Sequence, residues 1–320
     1  MKIFITGASG FIGGAIARAL STIHNVRAMS RSEGGDEQLR LLGATPVRSE
    51  LGAVKLEHLA GCEVVIHCAA FVKQWGTREE FWRTNVDGTA QLLQAARQAG
   101  VKRFIHVGTE AALFHGQHMR DIDETYPYPA STPFLYPETK AAAEKLVLAA
   151  NAPGFETISL RPRFVWGPGD QTILPVVKKM VKAGMYMWID QGRVRTSTTH
   201  IDNFVHAVTL ALNQGRGGQA YFITDDSTTT VREFLTALLK TQGIMMPKAS
   251  IPGPLARTLG RILESIWTLL RLKSEPPLTY FAAAMASSEC TIRIDKARAA
   301  LGYEPIITQE EGLAQLKLST

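Results

Sequence analysis

The chain has 320 residues, 45% of them hydrophobic, so it can bury a large core, and an intrinsically disordered protein is excluded. Its net charge of +6 is mild and scattered, and in the absence of a basic run neither DNA nor RNA is an expected partner. No uncharged apolar run reaches about 18 residues, so no membrane-spanning segment is predicted.

The first predicted element is a strand at 2–5, followed directly by the run Thr-Gly-Ala-Ser-Gly-Phe-Ile-Gly at 6–13. Gly7 permits a tight turn, Gly10 permits close approach to a phosphate oxygen, and Gly13 lets the next helix pack on the sheet. The helix N-terminus adds free N–H groups and a positive dipole end. This context predicts a site for a dinucleotide pyrophosphate. The predicted contacts are Gly7, Gly10, Phe11, Ile12 and Gly13.

The second predicted strand, at 26–29, leads into Met29-Ser30-Arg31-Ser32. An acidic residue at this place would bind the adenosine ribose of NAD, whereas a hydroxyl and a guanidinium suit a 2′-phosphate, because arginine offers charged, bidentate donors. NADP(H) is therefore the favoured cofactor, with Arg31 as a phosphate contact. NAD(H) is the alternative if Arg31 is a solvated residue that stacks on adenine.

Strand-like runs and helical patterns alternate along the chain. Further strands are predicted at 64–68, 104–107, 157–160 and 221–224, with helices at 79–99 and 136–150. This alternation predicts an α/β fold, a doubly wound parallel sheet of the Rossmann type. After residue 167 the pattern becomes mainly helical and rich in proline. The predicted division is a dinucleotide-binding Rossmann domain at 1–167 and 192–224, and a smaller, mainly helical C-terminal substrate-binding lobe at 168–191 and 225–320.

Tyr136 and Lys140 are one helical turn apart, so they share a helix face and could form an acid/base pair. A free tyrosine has a pKa of about 10, and its ionisation near neutral pH requires about 4 kcal/mol of stabilisation. One positive charge about 4 Å away contributes about 4 kcal/mol at an effective dielectric of about 20. The pair is therefore predicted to lower the pKa of Tyr136 only in a partly dried site, where an oxidised nicotinamide ring adds a second positive charge. The alternative is a surface pair.

These motifs resemble the extended short-chain dehydrogenase/reductases over nearly the whole chain. The resemblance extends to His67-Cys68-Ala69-Ala70, to Thr84-Asn85-Val86-Asp87-Gly88-Thr89, to the run from Arg161 to Asp170, to His200-Ile201-Asp202-Asn203 and to Leu301-Gly302-Tyr303. It implies that Thr109, after the fifth strand, is a third catalytic residue whose hydroxyl donates to the substrate oxygen. A turn or helix-capping role for Thr109 is the alternative. The resemblance implies cofactor contacts at His67, Ala69, Tyr136, Lys140, Pro162 and Val165.

Two departures from this family disfavour a sugar-nucleotide substrate. The family's dehydratases have an acidic pair after the catalytic threonine, whereas this chain reads Thr109-Glu110-Ala111. Many epimerases have an arginine for the substrate diphosphate where this chain has Thr196. Arg195 is adjacent, but side chains alternate across a strand, so it is expected to point elsewhere. An epimerase remains a further alternative, as does a non-catalytic dinucleotide sensor.

The closest resemblance is to the 3β-hydroxysteroid dehydrogenase branch, which includes sterol-carboxylate dehydrogenases and relatives that reduce 2-alkyl-3-oxoalkanoates. It implies an NAD(P)-dependent oxidoreductase that interconverts a secondary alcohol and a ketone on a hydrophobic small molecule. A 3β-hydroxysteroid or sterol, in some cases a 4-carboxylate, is the first substrate hypothesis, and a 2-alkyl-3-oxoalkanoate is the alternative. The predicted substrate contacts are Trp75, Arg163 and Trp166.

Residues 254–273 form an apolar stripe at helical spacing, with basic residues near it. The stripe consists of Leu255, Leu259, Ile262, Leu263, Ile266, Trp267 and Leu270. One hypothesis is that this helix roofs the substrate pocket and touches a membrane surface as a peripheral contact. The alternative is that the stripe packs on the protein's own core. A homodimer is a further hypothesis, because apolar helices are expected at the surface.

The remaining signals are unspecific. Cys62, Cys68 and Cys290 have no paired or metal-like spacing, and they are expected to be core thiols in a reducing compartment. His115 and His118 have no third ligand nearby, so no metal is predicted. A strand that begins at residue 2 leaves no room for a signal peptide, so a cytoplasmic protein, with a possible membrane association, is expected.

Overall fold

The structure is a computed structural model that describes residues 1–318. In chain order its strands are β1 (Lys2–Thr6), β2 (Asn25–Ser30), β3 (Thr45–Arg48), β4 (Val64–His67), β5 (Arg103–Val107), β6 (Met119–Ile122), β7 (Glu156–Pro162), β8 (Val165–Trp166), β9 (Trp188–Ile189), β10 (Arg195–Ser197), β11 (Thr199–His200), β12 (Gln219–Ile223), β13 (Thr228–Thr230), β14 (Ser250–Ile251) and β15 (Cys290–Ile292).

The helices connect these strands and cover the sheet. In chain order they are α1 (Phe11–Leu20), α2 (Glu33–Leu41), α3 (Arg78–Trp82), α4 (Gly88–Gln98), α5 (Leu135–Ala149), α6 (Leu174–Lys182), α7 (Ile201–Ala211), α8 (Val231–Lys240), α9 (Gly253–Leu269), α10 (Tyr280–Ala286), α11 (Asp295–Leu301) and α12 (Gln309–Leu318).

Seven parallel strands form the central sheet, in the order β12-β7-β5-β4-β1-β2-β3. Side chains alternate across it: Ile3 and Ile5 pack in one cluster with α1 and α7, whereas Phe4 packs in another with α4 and α5. The predicted doubly wound Rossmann-type fold is confirmed. The strand order reverses beside β1, and in such sheets the ligand crevice lies at that point, outside the carboxyl ends of the strands.

The predicted strands lie within two residues of the observed ones, but the sequence pattern gives no prediction for β3. The continuous helix predicted at 79–99 is wrong, because a π-helical turn at Arg83–Asp87 separates α3 from α4. The π-helical turn contains the buried Asn85, whose amide binds the backbone of Phe71 and the hydroxyl of Thr139. Insertions of this kind are frequent at functional sites.

The C-terminal region contains α8 to α12 together with short strands. A second sheet has the order β13-β10-β15-β6, and a pair is formed by β14 and β9. The strand β12 joins the central sheet, whereas β10 and β6 belong to this second sheet. The predicted domain boundaries stay a prediction. Among the residues described, no helix is both long enough and apolar enough to cross a membrane.

Candidate active site

The glycine turn follows β1 and leads into α1. Gly7 has φ +70°, and a Cβ there would lie 2.7 Å from the backbone nitrogen of Ala69, so glycine is required. A Cβ on Gly13 would lie 2.3 Å from the Gly7 carbonyl oxygen. At Gly10 an added Cβ would meet only that same oxygen within 4 Å, so this side of the turn is open beside the start of α1 at Phe11. The turn therefore fits a dinucleotide pyrophosphate.

His67 stabilises this turn through hydrogen bonds of both its ring nitrogens. The Thr89 hydroxyl donates to the Asn85 carbonyl (2.7 Å), so it accepts from Nε2–H of His67 (2.9 Å). Nδ1 of His67 then accepts from the Thr6 hydroxyl (2.8 Å), which in turn accepts from the Ala69 backbone (3.2 Å). Both ring nitrogens are used, and burial lowers the pKa of His67 to about 3. The structure thus gives His67 a supporting role, and its direct cofactor contact stays a prediction.

The end of β2 presents hydroxyls and a free guanidinium. Ser30 is buried, and Ser32 caps α2 by accepting from the Gly35 backbone. The Asp36 carboxylate on α2 is paired with Arg48 in a salt bridge of 2.5 Å. Arg31 is exposed and makes no ion pair within residues 1–318. This guanidinium is therefore available to an anionic group.

Tyr136 and Thr109 are brought together at the carboxyl end of the sheet. Thr109 follows β5 and caps the 3₁₀ turn Glu110–Leu113 by accepting from the Ala111 backbone, and it lies near the phenol of Tyr136 at the start of α5. Burial, and then the charge of Glu110, raise the pKa of Tyr136 above its usual range. Lys140 is not among the groups that act on this pKa, and the predicted lowering, which includes the charge of an oxidised nicotinamide, stays a prediction.

The Lys140 ammonium is turned toward the strand ends. It donates to the Val107 carbonyl (2.9 Å), and it lies 3.3 Å from Nε2 of His106. Burial lowers the pKa of Lys140 to about 8, while Glu144 and Cys68 act in the opposite direction. His106 is buried and uncharged, with its pKa well below the usual range. Lys140 is therefore held in place by two neutral acceptors.

Two of the three predicted substrate contacts, Arg163 and Trp166, are buried. Arg163 is 1% exposed and donates to Glu110 (2.5 Å) and Thr196 (2.8 Å). Trp166 is fully buried, and its indole N–H donates to Asp225 at 2.9 Å. Because both side chains lie inside the protein with their donors engaged, the structure does not support direct substrate contacts there.

The other predicted site residues differ in their burial. Trp75 is half-buried and lines a groove with residues of α9. Pro162 ends β7 in a buried position, and Val165 begins β8 half-buried. Thr196 is buried while Arg195 is exposed, as the alternation along that strand predicts. No cluster of three metal-binding side chains occurs among the described residues.

The profile of the 3-beta hydroxysteroid dehydrogenase/isomerase family matches residues 4–253. The chain belongs to this family. A family relative from Stigmatella aurantiaca, "4-hydroxy-2-methyl-3-oxo-4-farnesyl-3,4-dihydroquinoline-1-oxide ketoreductase", is 41% identical over 99% of this chain and 96% of its own. The "2-alkyl-3-oxoalkanoate reductase" of Stenotrophomonas maltophilia is 34% identical over 100% of this chain and 99% of its own. The chain is accordingly an NAD(P)-dependent oxidoreductase that acts on CH–OH groups, as the sequence resemblance predicts.

The fold of this family member is shared with sugar-nucleotide enzymes. The UDP-glucuronic acid 4-epimerase of Bacillus cereus, solved in complex with NAD, superposes with a TM-score of 0.77 at 20% identity and covers 100% of this chain and 99% of its own. Such a likeness shows the fold alone.

Sequence reasoning missed an aromatic wall beside Tyr136. The ring of Phe134 lies 4.9 Å from Tyr280, 5.3 Å from Phe281 and 5.5 Å from Phe114. Phe281 is in turn 6.0 Å from the Tyr136 ring. The helix α10 thus brings two aromatic side chains of the C-terminal region against the start of α5. No local sequence pattern predicts this contact, because it joins distant segments of the chain.

Proposed function

We propose that this protein reduces a ketone to a secondary alcohol on a hydrophobic substrate, with NADPH as the favoured cofactor. The observation that carries the proposal is the position of Tyr136. Its phenol lies beside the Thr109 hydroxyl, and its ring borders the aromatic wall of Phe134 and Phe281. A proton donor next to an apolar surface suits a ketone group on a hydrophobic molecule.

Each catalytic residue has one task in this proposal. Tyr136 donates its proton to the carbonyl oxygen, since a phenol, whose pKa is about 10 even when unperturbed, is protonated at neutral pH. Thr109, beside the phenol, is proposed to bind the same substrate oxygen, as the family resemblance implies, and the neighbouring aromatic side chains exclude water. Lys140 is fixed by Val107 and His106 as a cation at the cofactor side. A bound reduced nicotinamide would supply the hydride for the carbonyl carbon.

The cofactor is proposed to lie across the carboxyl ends of β1, β2 and β4. Gly7, Gly10 and the first N–H groups of α1, at Phe11 and Ile12, would hold the pyrophosphate. Arg31 supports NADPH over NADH, because an unpaired guanidinium suits a 2′-phosphate. Ala69, Pro162 and Val165 are proposed as further neighbours of the dinucleotide, as the family resemblance implies.

The substrate class is inferred from the two relatives. One is named for a 3-oxo compound that carries a farnesyl group, and the other for 2-alkyl-3-oxoalkanoates. A ketone flanked by a substituted carbon and attached to an apolar group is therefore the first candidate. The second is a 3β-hydroxysteroid or sterol, which the name of the matching family favours. With either substrate class, the apolar part of the molecule would lie against the aromatic wall.

The domain division is proposed on the same grounds. Residues 1–167 and 192–224 carry the predicted cofactor contacts and the catalytic residues. The lobe at 168–191 and 225–320 supplies Tyr280 and Phe281 to the wall.

We further propose that α9 rests on an anionic membrane surface. The face of α9 that contains Gly260 packs closely on α10, since a Cβ on Gly260 would lie 2.8 Å from the backbone of Tyr280. Large apolar side chains of its stripe face outward: Leu255 is 56% exposed, Ile262 51% and Leu270 61%. The alternative that this stripe packs on the protein's own core is thus not supported.

Charge favours a membrane as the occupant of this stripe. Arg271 and Lys273 follow α9 directly and are exposed, and each basic residue near an anionic leaflet contributes about 1 kcal/mol. A second copy of the chain on the same stripe, the homodimer hypothesis, is the other outcome of the test given below.

The experiment for the proposed function is a spectrophotometric assay of NADPH and NADH oxidation. The panel contains 2-alkyl-3-oxo acids, 3-ketosteroids and UDP-sugars. Consumption of NADPH with one of the two ketone classes, faster than with NADH, is expected. Conversion of a UDP-sugar without net cofactor consumption would indicate an epimerase, and cofactor binding without any turnover would indicate a sensor.

A further inference from the structure

An open groove lies between α6 and the turn that follows α8. Beneath it, Leu174 and Val177 of α6 pack on a buried cluster that includes Leu238 of α8. Its volume is about 680 Å³, which is within the range of small-molecule sites. The residues that line it are Leu174, Pro175, Lys178, Lys179, Lys182, Ala183 and Gln242. The groove thus combines an apolar part with three ammonium groups.

The three lysines of this groove have no compensating negative charge. Lys178 donates to the neutral amide oxygen of Gln242 at 3.3 Å. Among residues 1–318, no carboxylate pairs with Lys178, Lys179 or Lys182. Lys178 and Lys182 are one helical turn apart, and like charges at that spacing repel each other. An anion bound in the groove would relieve this repulsion.

The chain segments around the groove contain no acidic residue. Residues 171–189 and 234–263 lack Asp and Glu altogether, although the whole chain has 29 of them. The two segments lie side by side, because Trp188 and Ile189 of β9 pair with Ser250 and Ile251 of β14. Together they contribute the basic residues Lys178, Lys179, Lys182, Lys240, Lys248, Arg257 and Arg261. This face of the protein therefore attracts anions.

The same two segments expose large apolar side chains. Met185, which follows α6, is 60% exposed, Met187 is 45% exposed, and Met245, which follows α8, is 90% exposed. Flexible methionine side chains adapt to irregular apolar partners. A free phosphate ion would use only the lysines, whereas a phospholipid with an anionic headgroup would use the lysines and the apolar side chains together.

We propose that the groove between α6 and α8 binds one anionic phospholipid of a membrane surface. The ammonium groups of Lys178, Lys179 and Lys182 hold the headgroup phosphate, and an acyl chain lies along Leu174, Pro175 and Ala183. This site is separate from the contact proposed for α9, because it recognises a single lipid molecule in a defined groove. It does not depend on the chemistry at Tyr136.

The test uses dihexanoyl-phosphatidylglycerol as the probe, at concentrations at which the lipid stays monomeric, and calorimetry measures its Kd. Two comparison ligands separate the parts of the lipid. Dihexanoyl-phosphatidylcholine has the same chains without a net charge, and glycerol 3-phosphate has the phosphate without the chains. The wild type should bind the phosphatidylglycerol at least about ten-fold more tightly than either comparison ligand.

Two variants locate the binding in the groove. Replacement of Lys178, Lys179 and Lys182 by Gln should raise the Kd for the phosphatidylglycerol by roughly five-fold for each lysine. Ala183→Trp keeps the lysines but fills the apolar part, so its affinity for the phosphatidylglycerol should fall to that for glycerol 3-phosphate. The matched control replaces the exposed Arg18, Arg97 and Lys102 by Gln, which changes the net charge equally and should leave the Kd unchanged.

Several results would overturn the proposal: equal affinity for the two phospholipids, an unchanged Kd in the triple lysine variant, or the same loss in the control. Equal affinity for glycerol 3-phosphate would make the groove a site for a free phosphate. A dimer that Ala183→Trp dissociates, without lipid binding, would make it an interface between two copies. Either result would also overturn the proposal.

Ile262→Glu, in the stripe of α9, should still bind the short-chain phosphatidylglycerol like the wild type, since the groove does not include this residue. Loss of that binding would show that the groove is not a separate site. If the wild type reduces no ketone, the proposed function fails, yet the calorimetry still decides whether the groove binds a lipid.

Discussion

The Lys140 ammonium lies 3.3 Å from Nε2 of His106, a buried imidazole near the carboxyl end of β5. Because burial keeps His106 neutral, it can serve as an acceptor throughout the neutral range. Together with the Val107 carbonyl it determines where the ammonium is held.

His106→Phe is expected to lower turnover, because the ring keeps its shape but loses its acceptor. A hydrogen bond to a charged group is worth about 1.5 to 3 kcal/mol, which corresponds to roughly ten-fold or more in rate. His106→Gln, which keeps an acceptor near Nε2, should retain most of the activity. The measurement is the pH profile of kcat/KM for ketone reduction. Equal activity of the Phe variant and the wild type would contradict the role of His106.

The buried histidines also predict acid sensitivity of the fold. The folded-state pKa of His67 is about 3 and that of His106 is well below its usual range, because both are buried. The unfolded state binds these protons near a pH of about 6.5, so the free energy of unfolding decreases as the pH falls below that value. The expected loss is about 1.4 kcal/mol per pH unit for each histidine.

Urea unfolding at about pH 7 and about pH 5.5 measures this loss. The slope should be smaller in His106→Gln, which has one buried imidazole fewer. A wild-type free energy of unfolding that does not change between the two conditions would show that these imidazoles are not held neutral.

Arg31→Ala is expected to weaken NADPH binding more than NADH binding, because only NADPH has a 2′-phosphate for the guanidinium. The difference should be about ten-fold or more, as for loss of a charge-assisted hydrogen bond. Calorimetric Kd values for both cofactors measure it. Arg40→Ala, an exposed arginine at the other end of α2, is the control and should alter neither. Equal weakening of both cofactors by Arg31→Ala would indicate stacking on adenine instead.

Ile262→Glu is expected to abolish flotation with anionic liposomes at low salt, because a charge in the exposed stripe of α9 opposes insertion. Thr268→Glu adds the same charge to the same helix at an exposed position on a different face from Ile262, and it should float like the wild type. A wild-type protein that stays in the soluble fraction would refute the membrane contact. If the soluble wild-type protein is a dimer, and Ile262→Glu dissociates this dimer, the stripe is an interface between two copies of the chain.

The central sheet and the glycine turn could be predicted because their signals are local. Short apolar runs, with glycine directly after β1, specify the strand–turn–helix unit around Gly7 whatever surrounds it. The helix break at Asn85 could not be predicted, since the bonds of that amide to Phe71 and Thr139 form only in the tertiary structure.

The chemistry of the site was only partly accessible to sequence reasoning. The spacing of Tyr136 and Lys140 indicates their shared helix, but the raised pKa of Tyr136 depends on burial and on Glu110, which only the tertiary structure brings to the phenol. The contact between Phe281 and Tyr136 likewise has no sequence signature. Arg163 and Trp166 lie in a family-like motif, yet their burial follows from packing against β10 and α8.

The most direct test of the account is NADPH-dependent reduction of a hydrophobic 3-oxo compound by the wild type and by Tyr136→Phe, which lacks only the phenol hydroxyl. The account predicts a loss of turnover of roughly 10² to 10⁴-fold, with the Kd for NADPH changed no more than a few-fold. Retention of more than about a tenth of the wild-type turnover would contradict the assignment of Tyr136 as the proton donor.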